Sequence, residues 1–344
     1  VGIRIDETGK LLSIETDPKM DPTMYANYHL LEEYQLPPPI ASKTVLRSEL
    51  TEIRRFFIGT DLVAYPTSLF PTGSKHGKNR VVFKYTTEHP PTTLWREIQM
   101  LARLPPHPNL ALLDRLVLDE PTGSRVVGFT LRYIANETLD KSRPPLKLKW
   151  LRELTQTIDD LNLKYGIIHQ DIADRNLIID PDTDSIVVID FGMAYRVGLP
   201  KTESKRTEGE LEGRDDVKGV VVFLYEYITR DPAIGPRYIL NQVDESNLMD
   251  SAKWVKHPSV ELDAEVAEFY SELMTWVRRR RTGVQLTHYT QAPEHLEWPD
   301  VADTLGGLWK RRKAELWSLD WRRPPSARLD PTRRLLATGR YADE

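Results

Sequence analysis

The sequence predicts an α+β protein, because strand-like patterns dominate its first third and helical patterns dominate the part that follows. Strand-like runs lie at Ser48–Thr67 and at Arg80–Tyr85, where β-branched and aromatic residues are frequent. Apolar residues recur at helical spacing in Thr92–Leu104 and in Lys149–Lys164. A nearly all-apolar run, Val217–Ile228, predicts a helix buried on all sides.

The elements of the second half have distinct signals. In Lys149–Lys164, one helix face carries the apolar side chains, and Gly166 follows as a residue suited to end a helix. The residues of that face are Leu151, Leu154, Ile158 and Leu161. Two short apolar runs at 177–179 and 186–189 predict a hairpin. Its turn, Asp180–Asp184, begins like a calcium loop, but Ser185 stands where that loop needs glycine, which favours a plain turn.

Composition excludes several classes of protein. The chain has 344 residues, 40% of them hydrophobic, and a net charge of −4, so no general attraction to nucleic acid or acidic membranes is expected. Basic clusters at 278–281 and 310–313 are interpreted as solvated helix ends, with local phosphate binding as the alternative. There is no cysteine, which excludes disulfides and thiolate metal sites. No apolar run has the length of a signal peptide or a membrane span, so a cytoplasmic protein is expected.

One octapeptide carries the clearest chemical signal. It runs from His169 to Asn176 as His-Gln-Asp-Ile-Ala-Asp-Arg-Asn, and Asp190-Phe191-Gly192 follows after the predicted hairpin. An isolated match of this kind also fits a packed histidine and a solvated turn. Other motifs in the chain are therefore needed to distinguish a functional site from an ordinary loop.

Further matches come in a fixed order. Lys84 lies in a strand-like run, and Glu97 lies at the margin of the apolar stripe of the next helix. His107-Pro108-Asn109-Leu110 follows that helix, and Asp216 begins the long apolar run. With the octapeptide and Asp190, these residues make the chain resemble the eukaryotic protein kinase family over roughly residues 46–230.

The resemblance implies a bilobal fold. A small, mainly antiparallel sheet with one helix is expected at 46–133, and a larger, mostly helical lobe at 134–322. An N-terminal extension at 1–45 and a C-terminal extension at 323–344 would flank the two lobes. Within the first extension, the proline-rich Leu36–Ile40 predicts a stiff, extended spacer.

The resemblance also implies ATP as a partner and residues that bind it. Lys84 would contact the α- and β-phosphates and would be held by Glu97. Leu131 stands at the gatekeeper position, and Tyr133 lies in the hinge that faces adenine. Gly59 is the one glycine left in the loop that covers the phosphates.

Catalysis is assigned to the second lobe on the same basis. Asp171 would accept the proton of the acceptor hydroxyl. Asn176 and Asp190 would offer oxygen ligands to Mg²⁺, a hard cation. Arg175 would supply the positive charge near the γ-phosphate, and Asp216 would brace the catalytic loop.

Departures from the family pattern limit the prediction. The phosphate-covering loop lacks its other glycines, and Asp61 in it would repel phosphate if it pointed inward. Gln170 replaces the arginine that binds a phosphorylated activation loop. The stretch Gly192–Asp216 is short and lacks the closing Ala-Pro-Glu, so the usual platform for a substrate peptide is missing.

We therefore expect an ATP- and Mg²⁺-dependent phosphotransferase that acts on a hydroxyl, most simply on a Ser, Thr or Tyr of a protein. The alternatives are a small-molecule kinase, a pseudokinase that binds a nucleotide or a partner without turnover, and a kinase-like fold that transfers the nucleotide itself. The oligomeric state is not indicated by the sequence.

Overall fold

The computed structural model describes residues 2–5, 11–15, 28–69, 79–86, 92–119, 123–198, 215–234, 243 and 245–299. These residues form two compact units. The first contains the described residues up to Ala102, Leu112–Tyr133 and 298–299, and the second contains Arg103–Ala111 and Ile134–Glu297. The basic cluster at 310–313, the C-terminal extension and most of the stretch between Gly192 and Asp216 lie outside the described residues.

The strands within the described residues are short. They are β1 (Gly2–Ile5), β2 (Leu11–Glu15), β3 (Thr44–Leu46), β4 (Thr51–Phe57), β5 (Thr60–Ala64), β6 (Arg80–Tyr85), β7 (Leu113–Leu118), β8 (Val126–Arg132), β9 (Ile167–Ile168), β10 (Leu177–Asp180), β11 (Ser185–Val188) and β12 (Tyr195–Arg196).

The α-helices of the described part range from one turn to almost five. They are α1 (Pro38–Ala41), α2 (Thr92–Leu101), α3 (Leu139–Ser142), α4 (Leu148–Asp159), α5 (Asp216–Thr229) and α6 (Val266–Thr282). Sheet and helix are thus both present, and the predicted α+β class is confirmed.

The first unit is built on a six-stranded sheet in the order β3-β7-β8-β6-β5-β4. All neighbours are antiparallel except β3 and β7. In β6, Val81, Phe83 and Tyr85 are buried in one apolar cluster, whereas Lys84 between them points to the other face. The pleat of the strand therefore separates the core-forming side chains from the lysine.

The segment before the sheet differs from the sequence-based expectation. Leu36–Ile40 was expected to be extended, but Pro38–Ala41 forms one turn of α-helix. Proline is compatible with the first helical turn, because the N–H that it lacks has no partner there. Tyr28 and Tyr34 are buried, and β3 joins the sheet beside β7. The residues from Tyr28 onward are therefore part of the first unit.

The long helix of the second unit also differs in detail. The apolar face predicted for 149–164 is buried as expected, but the α-helix ends at Asp159 and continues as a π-helix over Asp160–Lys164. Gly166 follows with a φ of +70°, a conformation that favours glycine. The predicted buried helix is confirmed as α5, whose residues from Asp216 to Tyr225 are all buried.

The predicted hairpin is confirmed as β10 and β11. Asp184 N–H donates to the Asp180 carbonyl at 2.8 Å, so Asp180–Asp184 forms a tight turn as expected. Separately, no helix in the described part of the chain is both long and apolar enough to cross a bilayer.

Candidate active site

In the first unit, Lys84 pairs with Glu97. The Lys84 Nζ lies 2.6 Å from the Glu97 Oε1, and the Glu97 side chain is 2% exposed. Lys84 is on β6, whose neighbours are β5 and β8, and Glu97 is on α2. A carboxylate buried this deeply needs a charged or hydrogen-bonding partner, and Lys84 supplies one.

Gly59 is required by the turn between β4 and β5. Its φ is +78°, and a Cβ atom at this position would lie 2.5 Å from the Tyr85 carbonyl oxygen. The Tyr85 N–H donates to the Gly59 carbonyl at 2.8 Å. The close approach of the two backbones explains why this one glycine is needed, independently of any phosphate.

Asp61, the acidic residue of this loop, is buried. Its Oδ1 lies 3.3 Å from the Arg55 Nε, and Arg55 also donates to the Tyr85 hydroxyl at 2.8 Å. The Asp61 charge is therefore balanced by an arginine within the sheet.

Leu131 and Tyr133 lie at the end of β8 and just after it. Leu131 is buried and pairs with Val82 across the sheet. Tyr133 is half-buried, and its ring stacks on that of Phe56, with the centroids 6.3 Å apart. These contacts describe the surroundings of both residues, and their roles toward adenine stay predictions.

In the second unit, Asp216 anchors the octapeptide loop, His169–Asn176. Its two carboxylate oxygens accept the backbone N–H groups of His169 and Gln170, each at 2.8 Å. Burial raises the pKa of Asp216, while His169 and the donated hydrogen bonds act against this rise. The loop is thus tied at its start to the first residue of a buried helix.

His169 is buried, and its ring makes hydrogen bonds in addition to the one its backbone N–H donates to Asp216. Its Nε2 lies 3.1 Å from the Ile189 carbonyl, and its Nδ1 accepts the Asp171 N–H at 3.3 Å. Its ring meets the Phe191 ring edge-on, with the centroids 4.9 Å apart. His169 therefore links the octapeptide to the Asp190-Phe191-Gly192 segment.

Both carboxylate oxygens of Asp171 accept hydrogen bonds. The Asn176 Nδ2 donates to the Asp171 Oδ2 at 2.8 Å and to the Asp171 carbonyl at 2.8 Å. The Arg175 guanidinium forms an ion pair with the Asp171 Oδ1. These two donors hold the carboxylate in one orientation while its side chain stays 16% exposed.

Asn176 and Asp190 lie at the open end of the β10–β11 hairpin. The Ile189 N–H donates to the Asn176 carbonyl at 3.0 Å, which places Asp190 one residue beyond that pair. Asp190 is exposed, and its φ of +63° is unusual for a residue other than glycine. Because the Asn176 amide nitrogen faces Asp171, its amide oxygen is directed elsewhere, and an amide with a carboxylate is a donor set that suits Mg²⁺.

A polar network that the sequence did not predict lies next to this loop. Asn162, in the π-helix, donates to the Asp216 Oδ2 at 2.8 Å and to the Ile167 carbonyl at 2.7 Å. Arg280, on α6, donates to the Asn162 Oδ1 at 3.0 Å and to the Asp159 Oδ1 at 2.6 Å. A signal did exist, since Asn162 stands four residues after Ile158 on an otherwise apolar helix face.

Asp174, within the octapeptide, and Glu226, on α5, are two acids with raised pKa values. Burial raises the pKa of Asp174, against the opposing effect of Arg143, whose guanidinium lies 3.7 Å away. Burial also raises the pKa of Glu226 on α5, and the negative charge of Asp174 adds to this rise. Separately, within the described ranges no group of three or more His, Cys, Asp or Glu side chains is arranged to hold a metal ion.

A known family matches part of the segment described above. Residues 85–197 match the model of the phosphotransferase enzyme family (APH), a stretch that contains the octapeptide and Asp190 and begins just after Lys84. With these matches and this fold, the chain is similar to the protein kinase-like superfamily.

Individual relatives are distant. The human MAPK/MAK/MRK overlapping kinase is 33% identical over 107 residues, which are 30% of this chain and 25% of the relative. The cell division control protein 2 homolog D of Antirrhinum majus is 31% identical over 129 residues, which are 32% of this chain and 38% of the relative. The cyclin-dependent kinase B2-1 of Arabidopsis thaliana is 29% identical over 128 residues, with the same shares of 32% and 38%. The chain thus spans 25% to 38% of the length of these relatives.

Proposed function

We propose that the chain is an ATP-dependent phosphotransferase that transfers the γ-phosphate to a hydroxyl group. The observation that carries the proposal is the orientation and partial exposure of the Asp171 carboxylate. This carboxylate is oriented by Asn176 and Arg175, stays partly exposed, and stands in a loop fixed by the buried Asp216. A general base needs this combination of fixed direction and access.

Each residue has a task in the proposed reaction. The acceptor hydroxyl donates its hydrogen bond to an Asp171 oxygen, and the proton passes to that oxygen as the new O–P bond forms and the bond to the leaving phosphate breaks. Arg175 balances the charge of Asp171 before the hydroxyl binds. It then offers a guanidinium to the transferring phosphate.

Mg²⁺ fits the donor types at the hairpin end. Asn176 would supply an amide oxygen and Asp190 a carboxylate oxygen, and when bound the ion would neutralise phosphate charge. Lys84, kept in place by Glu97, would contact the α- and β-phosphates as a fixed cation. These assignments rest on the resemblance and on the pairings described above.

A protein hydroxyl is the proposed acceptor, because the chain resembles the protein kinase family and two of the relatives named above are kinases by name. The short stretch from Gly192 to Asp216 favours a second candidate, a small-molecule acceptor, since the sequence lacks the closing motif of a peptide platform. Both acceptors use the same transfer chemistry, so the experiment below compares a protein extract with a metabolite extract to distinguish them.

The test is incubation of the purified chain with Mg²⁺ and ATP labelled at the γ-phosphate, in parallel with a protein extract and a metabolite extract. We expect label in one pool, and loss of that label in Asp190→Asn. Asp182→Asn is the matched control, because Asp182 is an exposed carboxylate in the turn of the same hairpin. Label in neither pool, from wild-type protein that binds ATP, would favour a pseudokinase that binds the nucleotide without turnover, and it would contradict the proposal.

A further inference from the structure

Helix α2 presents two opposite faces to different partners. It is ten residues long, and isolated helices shorter than about 12–15 residues are marginal in water. Trp95 and Gln99 are one helical turn apart and share one face, whereas Glu97 lies on the opposite side. The orientation of the Glu97 side chain toward Lys84 therefore depends on the contacts that fix the opposite face of α2, which carries Trp95 and Gln99.

That face is covered by the segment that precedes the sheet, residues 28–46, here called the N-terminal brace. The Tyr34 ring stacks on the Trp95 ring, with the centroids 4.2 Å apart and the planes 27° from parallel. The Gln99 Nε2 donates to the Tyr34 carbonyl at 2.8 Å. His29 adds an edge-on contact to Trp95 at 4.6 Å. Tyr34 and Gln99 are both fully buried, so this contact is shielded from bulk solvent.

The brace is itself attached to the sheet that carries Lys84. The Tyr28 hydroxyl donates to the carbonyl of Thr86, two residues after Lys84. The Leu31 N–H donates to the Ser124 carbonyl at 2.7 Å, and Arg125 donates to the Tyr28 carbonyl at 2.6 Å. At the other end of the brace, β3 pairs with β7. The sheet, the brace and α2 thus form a closed set of contacts within the first unit.

We propose that the N-terminal brace sets the position of α2, and that Tyr34 is the positioning residue through which it keeps Glu97 paired with Lys84. The consequence for catalysis rests on the proposed function, because only a nucleotide-dependent enzyme needs an aligned Lys84. The coupling from Tyr34 to the ion pair is a property of the fold and is measurable without turnover.

The first test measures the reactivity of the Lys84 amine in the full chain. The reagent is N-hydroxysuccinimide acetate at low dose, and acetylation of each lysine is followed by mass spectrometry. An amine that donates to a buried carboxylate must give up that bond to react, so Glu97→Gln, which removes the charge of the pair, sets the reference for a weakened pairing of Lys84. Lys147, which pairs with Asp184 at 2.8 Å in the second unit, is the internal control.

We expect Tyr34→Ala to speed acetylation of Lys84 by about threefold or more, toward the Glu97→Gln rate, with Lys147 unchanged. Tyr34→Phe keeps the stacked ring and the backbone carbonyl, so its Lys84 rate should match the wild type. A Lys84 rate in Tyr34→Ala equal to that of the wild type, while Glu97→Gln raises it, overturns the proposal.

The second test measures phosphate transfer in the same variants. Tyr34→Ala should lower kcat by about tenfold or more, because small misplacements of a phosphate-aligning group are costly, and Tyr34→Phe should restore it. If no variant, including the wild type, transfers phosphate while the acetylation pattern holds, the proposed function fails and the brace stands. If the wild type transfers phosphate and Tyr34→Ala is unaffected in both tests, the brace fails and the proposed function stands.

If Tyr34→Ala does not fold, a second variant, Gln99→Met, tests the same proposal. Gln99→Met keeps the length of the side chain and removes the donor to the Tyr34 carbonyl, so it loosens the brace at one bond. Far-ultraviolet circular dichroism establishes that this variant is folded. Faster acetylation of Lys84 in folded Gln99→Met supports the proposal, and an unchanged rate contradicts it.

Discussion

Asp216 accepts the backbone N–H of His169, 47 residues before it in the chain, at 2.8 Å. This bond joins the first residue of a buried helix to the first residue of the octapeptide His169–Asn176. A backbone group held by a buried carboxylate has little freedom, because both partners are removed from water. The position of Asp171, two residues further on, follows from this anchor.

The role of Asp171 as proton acceptor is tested by Asp171→Asn. The amide keeps the size of the side chain and removes the negative charge that accepts the proton, so kcat should fall by about 10²-fold or more. Nucleotide affinity, measured by calorimetric titration with Mg²⁺ and ATP, should stay close to that of the wild type. A wild-type kcat in Asp171→Asn would show that another group accepts the proton.

The network behind the loop is tested by Asn162→Leu. Leucine fits the volume but leaves the Ile167 carbonyl and Asp216 without the Asn162 donor, so the free energy of unfolding should fall by about 1–3 kcal/mol. Asn136→Ala is the matched control. Asn136 also donates to a backbone carbonyl, that of Ile179 at 3.0 Å, but it is exposed and should cost less than about 1 kcal/mol. Equal costs in urea unfolding would contradict the buried network.

Gly59→Ala tests the turn between β4 and β5. Alanine would bring both a strained φ and a Cβ atom 2.5 Å from the Tyr85 carbonyl oxygen, so a loss of about 2 kcal/mol or more is expected. Gly123→Ala is the control, since its φ of +60° is also strained but the nearest atom to a new Cβ is 3.8 Å away. Thermal unfolding of the two variants separates crowding from backbone strain, and Gly59→Ala should be the less stable.

Tyr34→Phe and Tyr227→Phe form a matched pair of buried tyrosines. The Tyr227 hydroxyl donates to the Pro144 carbonyl at 2.6 Å, whereas no hydrogen-bond partner of the Tyr34 hydroxyl lies among the described residues. Removing the Tyr227 hydroxyl should cost about 1 kcal/mol in the free energy of unfolding, and removing that of Tyr34 should cost nothing or stabilise the fold. The opposite order in urea unfolding would mean that Tyr34 has a partner outside the described part of the chain.

Stability should fall at alkaline pH. Burial raises the pKa of Tyr85 and of Tyr227 to about 12, from a usual value of 10.0. The unfolded chain therefore ionises first, so stability is fully present below pH 10 and is lost as pH rises from 10 toward about 12. The urea midpoint, measured at steps across this range, should fall less steeply in Tyr227→Phe than in the wild type. Identical slopes would show that Tyr227 does not contribute.

Local patterns predicted much of the second unit. The hairpin after the octapeptide and the buried helix that begins at Asp216 each have a signal within a few residues, and both form as expected. The helix after Lys149 shows the limit of such patterns, because apolar spacing does not distinguish an α-turn from the π-turn that begins at Asp160. That turn contains Asn162, whose position on the apolar face is visible in the sequence, but its partners Asp216 and Arg280 are distant in the chain and are not indicated by periodicity.

The sequence by itself determined the α+β class, the order of the chemical groups and the spacing of Asp171, Asn176 and Asp190, since these depend on neighbours along the chain. Only the tertiary structure decided that Tyr34 packs on Trp95, that Arg280 reaches Asn162 and that Asp61 is paired with Arg55. The first and second of these pairs join residues far apart in sequence, and the third depends on the strand register of β4 and β5. The physical reason is that such contacts form only when burial brings separate segments together. Neither composition nor periodicity indicates which segments meet.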